Sequence, residues 1–375
     1  MKPISLGMLT VLLCSLAHAD DFSVIKSVGE GSRGSAEARA ASSRIVSGGA
    51  KNLIPTLQAF EGSSMLASNW LRSTFETIAD SEIKAGRSLP KGDLLAFVKD
   101  ASGSPAARRL AYEWILKRSP QVEDELIPQL LLDPSPEFRR DAVARLLSEA
   151  KKAGGDEATN LYRRALTGAV HEDQVKTISK ALRDAGDEVN LQRHFGFLAS
   201  WKIIGPFDNK DKKGFPIPYP PETKIDLSAE YDGQLGKVKW EPISTDEDFG
   251  LVNIAEQIEN YKGSLMYATT NFQSRTEQTI EIRLGTPNAW KLWVNDELIF
   301  EREEYHRSTK MDQYKIPVAL KKGDNRLLIK VCQNEQEDSW AQKYQFQLRI
   351  CDSTGAAVLP AADTALNNSS QGAAQ

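Results

Sequence analysis

The chain has 375 residues, 26% of them charged, and a net charge of only −4. At about 150 residues per domain it is expected to fold as two domains, each large enough for its own core. The near-balance of charge leaves no electrostatic ground for nucleic acid or an anionic membrane as partner, and three cysteines are too few for a disulfide scaffold or a four-cysteine zinc site.

Met1-Lys2 is followed by an apolar run from Ile4 to Leu16 and then by Ala17-His18-Ala19. A positive start, a short apolar core and a small-x-small site predict a secretory signal peptide over 1–19. The run is shorter than the roughly 20 residues that a spanning helix needs, and no later stretch reaches that length. The expectation is an exported protein, periplasmic, cell-surface or extracellular, with no transmembrane segment after signal cleavage. Leu13 is too bulky to precede a lipidated Cys14. Cys332 and Cys351 then remain. Export permits a disulfide between them, but on a simple hairpin they would sit at opposite ends, which favours two separate thiols.

Residues 20–51 are rich in Gly, Ser, Ala and Arg, as in Gly29-Glu30-Gly31-Ser32-Arg33-Gly34-Ser35, and show no sustained apolar period. They are expected to form a flexible lead-in. Over 52–197 apolar residues recur at helical spacing, as in Trp70, Leu71, Phe75, Ile78 and Ile83, which predicts an all-α domain. Inside it Ser104-Pro105-Ala106-Ala107-Arg108-Arg109-Leu110-Ala111 and Ser135-Pro136-Glu137-Phe138-Arg139-Arg140-Asp141-Ala142 match as S-P-x-x-R-R-x-A. Serine is expected to cap the first turn and proline to occupy the first helical position. Ser119-Pro120 opens an intervening helix in the same way, and Asp173-Gln174-Val175-Lys176 gives a weaker echo. Helix pairs at this spacing must stack to bury their faces, as in an α-solenoid. The paired arginines suit solvated faces or salt links between stacked repeats.

The segment Asp133-Pro134-Ser135-Pro136-Glu137-Phe138-Arg139-Arg140-Asp141-Ala142 resembles a HEAT-type repeat, with an acidic turn, an apolar residue, Arg, then small and aliphatic residues. The resemblance covers about 104–184 and implies a stacking, partner-binding module without chemistry of its own.

From Leu198 the period changes to two. Ile280, Ile282 and Leu284 alternate with Glu281 and Arg283. Leu292 and Val294 face away from Lys291 and Trp293, and Asn295-Asp296 is a hairpin-turn signal. Lys321-Lys322-Gly323-Asp324-Asn325 is a second turn, leading to Leu327, Ile329 and Val331, and Phe346, Leu348 and Ile350 make a last strand. An antiparallel β-sandwich or jelly roll is expected over 198–352, and a disordered tail over 353–375.

The apolar strand ending at Gly285, the run Trp293-Val294-Asn295-Asp296, and Leu320-Lys321-Lys322-Gly323-Asp324-Asn325 before an aliphatic strand resemble the galactose-binding-like jelly roll. That module accompanies many β-galactosidase-type glycoside hydrolases. Asp296 stands where the pattern has glycine. The resemblance covers about 265–352, and its motifs are structural: Gly323 and Asn325 shape a turn and do not identify a sugar. Upstream, Trp201-Lys202-Ile203-Ile204-Gly205-Pro206-Phe207-Asp208 resembles the opening of sandwich regions in large exported bacterial proteins, and helical repeats joined to such a region are similar to exported planctomycete-type proteins.

A sugar site needs flat rings for the C–H faces of a pyranose and polar groups for its hydroxyls. Tyr305, His306, Arg307 and Trp340 are the ligand-binding candidates, although aromatics at such positions also serve as half-buried edge cover. Asp208, Asp211 and Asp226 are weak candidates for calcium, because Lys210 and Lys212 interrupt the alternation that a calcium loop requires. Glu301, Glu303, Glu304 and Asp312 offer carboxylates for glycoside hydrolysis, but nothing in the sequence sets their separation. His171, His194 and His306 are scattered, and no HExxH, G-x-S-x-G or P-loop occurs. No catalytic residue and no cofactor is therefore expected. The function expected is an exported non-catalytic binding protein, with a glycan or cell-surface component on the sandwich and a protein partner on the helices. A scaffold component of an envelope assembly is one alternative, and a carbohydrate-active enzyme or its accessory subunit is another.

Overall fold

The computed structural model describes residues 21–361. The signal-peptide expectation over 1–19 and the part of the tail over 362–375 lie outside the described residues. The chain divides into two compact units after Lys152.

The first unit is helical: α1 (residues 21–26), α2 (Ser35–Ser47), α3 (Leu53–Gln58), α4 (Met65–Lys84), α5 (Lys91–Lys99), α6 (Pro105–Leu116), α7 (Val122–Leu126) and α8 (Pro136–Ala153). The segment expected to be a flexible lead-in instead carries α1 and α2. Ile25, Ala38, Ala41 and Ile45 are fully buried, in the same apolar cluster as Leu71 and Phe75. Two alanines and an isoleucine at helical spacing form a close-packing stripe that the polar average of the segment conceals. Ser64 caps α4, its hydroxyl accepting from the Ala67 amide at 3.2 Å.

Proline does open α6 and α8, but the serine before it is not the cap that was expected. Ser104 makes no capping bond, and the buried Ser135 hydroxyl has no partner. Asp133 shapes the turn just before α8, accepting from the Ser135 amide at 2.8 Å. Of the two expectations for the paired arginines, solvated faces or salt links, the first arginine of the motif takes the salt link. Arg108 is fully buried, donates from Nη1 and Nη2 to Asp133 at 2.8 and 2.6 Å, and from Nε to the Val98 carbonyl at 2.8 Å. Arg109 is the outward one, half-buried beside Glu113.

The second unit begins with α9 (Gly155–Gly168), α10 (Glu172–Asp184) and α11 (Leu191–Phe195). The change from helix to strand comes at 196–199, while compaction divides the chain well before it. Tertiary pairs hold these helices within the second unit. Arg183 forks onto Asp248 at 2.6 and 2.7 Å, and Arg349 donates to the Phe195 carbonyl at 3.1 Å. His194 Nε2 donates to the Ala169 carbonyl at 2.9 Å. Burial depresses the His194 pKa below its ordinary value of about 6.5. The folded chain therefore takes up this proton less readily than the unfolded chain, and stability declines as pH falls from about 6.5 toward the depressed value. In thermal melts His194→Gln is expected to flatten the stability curve in that window; an unchanged slope would assign the dependence elsewhere.

Two antiparallel sheets follow. One runs β4 (Glu241–Ser244), β1 (Ser200–Asp208), β6 (Ser264–Ser274), β11 (Gly323–Gln333), β8 (Ala289–Val294), β9 (Glu297–Arg302); the other runs β10 (Tyr314–Leu320), β7 (Gln278–Gly285), β12 (Gln345–Cys351), β5 (Val252–Asn253). A hairpin of β2 (Glu230–Gly233) and β3 (Gly236–Lys239) joins neither ladder but packs on the larger sheet, with Val238 in a cluster with Ile204 and Phe207 and the Gln234 backbone amide donating to the Pro206 carbonyl at 2.8 Å. One apolar cluster draws Ile282 and Leu284 from the smaller sheet and Ile329 and Val331 from the larger. Leu328 and Cys332, one residue out of phase on β11, belong to a second cluster with Ile204, Tyr267 and Trp293. Side chains alternate across a strand, so the larger sheet is packed on both faces there. Phe215 and Trp240, from the segment over 209–240, supply that second cover.

Asn295 (φ 53°) and Asp296 (φ 73°) form the two-residue turn between β8 and β9, both in the left-handed region that such a hairpin demands. The turn before Asn325 is different in kind, since it carries the chain from one sheet to the other. The Asn325 amide accepts from the Lys321 amide at 3.0 Å and from Asn295 Nδ2 at 2.9 Å, tying both turns together. Cys332 and Cys351 are free, buried thiols. They sit on different sheets, so they are apart for a stronger reason than the ends of one hairpin. The start of the expected disordered tail is ordered: the Val358 amide donates to the Ile350 carbonyl at 3.0 Å, and its side chain packs on the core. Among the described residues no helix is long and apolar enough to cross a membrane.

Candidate functional site

β11 ends at Gln333, and the polar loop after it carries Trp340 on a short 3-10 turn, Ser339–Ala341. The loop after β9 comes up beside it with Tyr305, His306 and Arg307. His306 adopts a positive φ of 57°, which turns its ring toward that loop, where Nε2 donates to Asn334 Oδ1 at 2.6 Å. Trp340 stands perpendicular to the His306 ring with centroids 5.3 Å apart, and is 61% exposed. Tyr305 is half-buried. Its hydroxyl accepts from Asn209 Nδ2 at 3.2 Å, burial pushes its pKa up, and the Lys212 ammonium lies 5.3 Å from its ring centre. Arg307 is exposed and held by Glu304 at 3.0 Å.

Three of the four sugar candidates thus come together at one edge, and Arg307 stands beside them on its own ion pair. The residues that position them carried no sequence signal. Asn209 is fully buried and spans Tyr305 and the Gln333 carbonyl, the latter at 3.0 Å. Glu335 accepts from the Asp211 amide at 2.5 Å, docking the 208–213 loop onto the Trp340 loop. Only the polar richness of both loops could have pointed to them.

The calcium candidates do not assemble into a site. Asp208 accepts from the Lys210 amide at 3.1 Å. Asp211 is paired with Lys213 at 2.9 Å, which holds its carboxyl below the usual range. Asp226 folds back on the Ser228 hydroxyl and amide at 2.7 and 3.1 Å. Among the described residues no three His, Cys, Asp or Glu side chains gather to hold a metal ion.

Three of the carboxylates weighed for hydrolysis face cations. Glu301 pairs with Lys291 at 2.9 Å and Glu304 with Arg302 and Arg307 at 3.3 and 3.0 Å. Asp312 sits between Arg349 and Arg283 at 2.6 and 2.7 Å. Burial opposes its ionisation, but the two guanidinium groups outweigh it and its pKa stays below the ordinary carboxylate value. Glu303 is exposed.

No family model matches the chain, and none of the curated proteins compared with it does. Among solved structures, a β-glucosidase from Kluyveromyces marxianus in complex with glucose aligns at 12% identity and a TM-score of 0.27, over 45% of this chain and 18% of that one. An anti-sigma factor domain-containing protein aligns at 14% identity and 0.24, over 45% and 47%. The Faecalibacterium prausnitzii β-glucuronidase aligns at 11% and 0.23, over 42% and 31%. The chain spans less than half the length of each, and likeness at this level carries no argument about fold or activity.

Proposed function

We propose that the chain is an exported, non-catalytic binding protein. Its β unit, read as a sandwich of the galactose-binding-like jelly-roll kind, takes a glycan or cell-surface component at the Trp340 edge. The helices, read as HEAT-like repeats in a short solenoid, take a protein partner. The observation that carries the glycan reading is Trp340 itself, a large ring left 61% in water beside an oriented His306. Such a ring offers a pyranose a flat apolar face at small entropic cost, because few of its torsions need freezing. The carboxylates held against cations support binding over hydrolysis. The Arg108–Asp133 pair supports the repeat reading, since it joins one S-P-x-x-R-R helix to the acidic turn that opens the next.

The test is a glycan array and polysaccharide pulldown with the whole chain. Trp340→Ala is expected to weaken retention about tenfold, the value of roughly 1.4 kcal/mol of lost stacking and contact, without moving the melting temperature. A folded sample that retains no glycan, or retains it equally well without Trp340, sinks the reading and leaves the scaffold alternative.

A further inference from the structure

The outer face of the six-stranded sheet is covered at one end only. There Phe215 and Trp240 lie against Tyr267, Trp293 and Leu328. Beyond that cover the same face continues as a groove of about 600 Å³, a size suited to a small ligand. Lys202 is the register partner of Thr269 on β6, and Asn271 that of Arg326 on β11. Alternation from the covered Ile204, Tyr267 and Leu328 puts all four on the groove side. Leu227, 53% exposed, and Lys321 also line it.

The groove's polar groups suit a ligand that both donates and accepts. Thr269 donates its hydroxyl proton to the Leu327 carbonyl at 2.7 Å and keeps its lone pairs, while the Asn271 amide is exposed. Leu227 adds a patch for C–H groups. The charges are unequal. Arg326 and Asp296 neutralise one another at 2.5 Å. Lys202 and Lys321 are exposed and in no ion pair among the described residues, against Asp324 alone.

We propose that this groove binds a short acidic saccharide, a two- or three-residue sugar bearing carboxylate or sulfate, with Lys202 and Lys321 meeting the anion. The choice of a saccharide rests on the glycan-binding reading above, but the site is a separate one. Its β11 residue Arg326 lies seven residues before Gln333, where the strand ends and the Trp340 loop begins, a separation of about 23 Å at roughly 3.3 Å per residue.

Calorimetric titration of the whole chain with trigalacturonate, a heparin-derived disaccharide and neutral maltotriose tests it. The carboxylated or the sulfated probe is expected to bind at least tenfold more tightly than maltotriose, and which one does so identifies the anion. Lys202→Ala with Lys321→Ala is expected to abolish that preference without changing the melting temperature, and Trp340→Ala to leave it intact. Acidic binding that is absent at millimolar probe, equal to the neutral probe, or unmoved in the double variant overturns the proposal. Acidic binding lost only with Trp340→Ala also overturns it and transfers the site to the loop. Retention of the acidic probe by a chain that fails every Trp340-dependent test would instead remove the loop reading and leave the groove.

Discussion

Lys330→Met is expected to destabilise the β unit by about 3–5 kcal/mol, the cost of breaking a buried, hydrogen-bonded ion pair from one side. The Lys330 side chain is wholly buried in the six-stranded sheet, and its three donors are all used. They go to the Phe215 carbonyl at 2.9 Å, the Ile217 carbonyl at 2.8 Å and Glu222 Oε1 at 2.8 Å. Tyr267 donates to the same carboxylate oxygen. Burial pulls the lysine pKa down against the pull of Glu222, and it pushes the neighbouring Cys332 thiol up to about 12, so that thiol stays neutral. Lysine here pins the segment over 209–240 onto the sheet. Methionine fills much of the volume but leaves two carbonyls without a donor and a carboxylate without a cation. Adding Glu222→Leu is expected to recover part of the loss, because an apolar pair needs no compensation. Guanidinium denaturation followed by tryptophan fluorescence measures both variants. A loss below about 1 kcal/mol for the single variant would place the pair in the class of exposed ion pairs and refute the pinning role.

A loss of similar size, about 3–5 kcal/mol, is expected in the helical unit for Asp133→Ala. Asp133 takes both terminal nitrogens of the buried Arg108 in a fork and also the Ser135 amide at the start of α8. Its removal strands a guanidinium that no water reaches and leaves the Ser135 amide, just before α8, without its acceptor. The Phe138 ring, 5.2 Å from that guanidinium, offers only a weak substitute. Asp133→Asn keeps an acceptor and the amide bond, so its loss should be clearly smaller. Equal losses for the two variants would show that the retained acceptor contributes nothing and that the carboxylate charge carries the whole effect.

Both pairs show what local reading does not reach. The Arg108–Asp133 pair joins residues 25 apart and the Lys330–Glu222 pair residues 108 apart. In the sequence Lys330 and Glu222 are two more charged residues in a chain that is 26% charged, while Arg108 and Asp133 stand in legible motifs that do not name each other as partners. The same holds at the edge site. Trp340, Tyr305 and His306 stood out because large rings in polar loops are locally conspicuous, whereas Asn209, which supports Tyr305 from 96 residues away, did not.

The sequence by itself determined what depends on backbone preference and on period. It marked the change from helix to strand near Leu198, the left-handed turn at Asn295-Asp296, the proline starts of α6 and α8, and the alternation of β8. Each is decided by φ, ψ and side-chain direction within a few residues. Only the tertiary structure decided which faces are covered. It placed α2 in a core, moved the division between compact units to Lys152, put the two cysteines on different sheets, and left one end of a sheet face open as a groove. Burial is a property of what lies opposite a residue. The free energy of covering an apolar or charged group is set by partners that the chain brings from far along its length, and no local pattern encodes them.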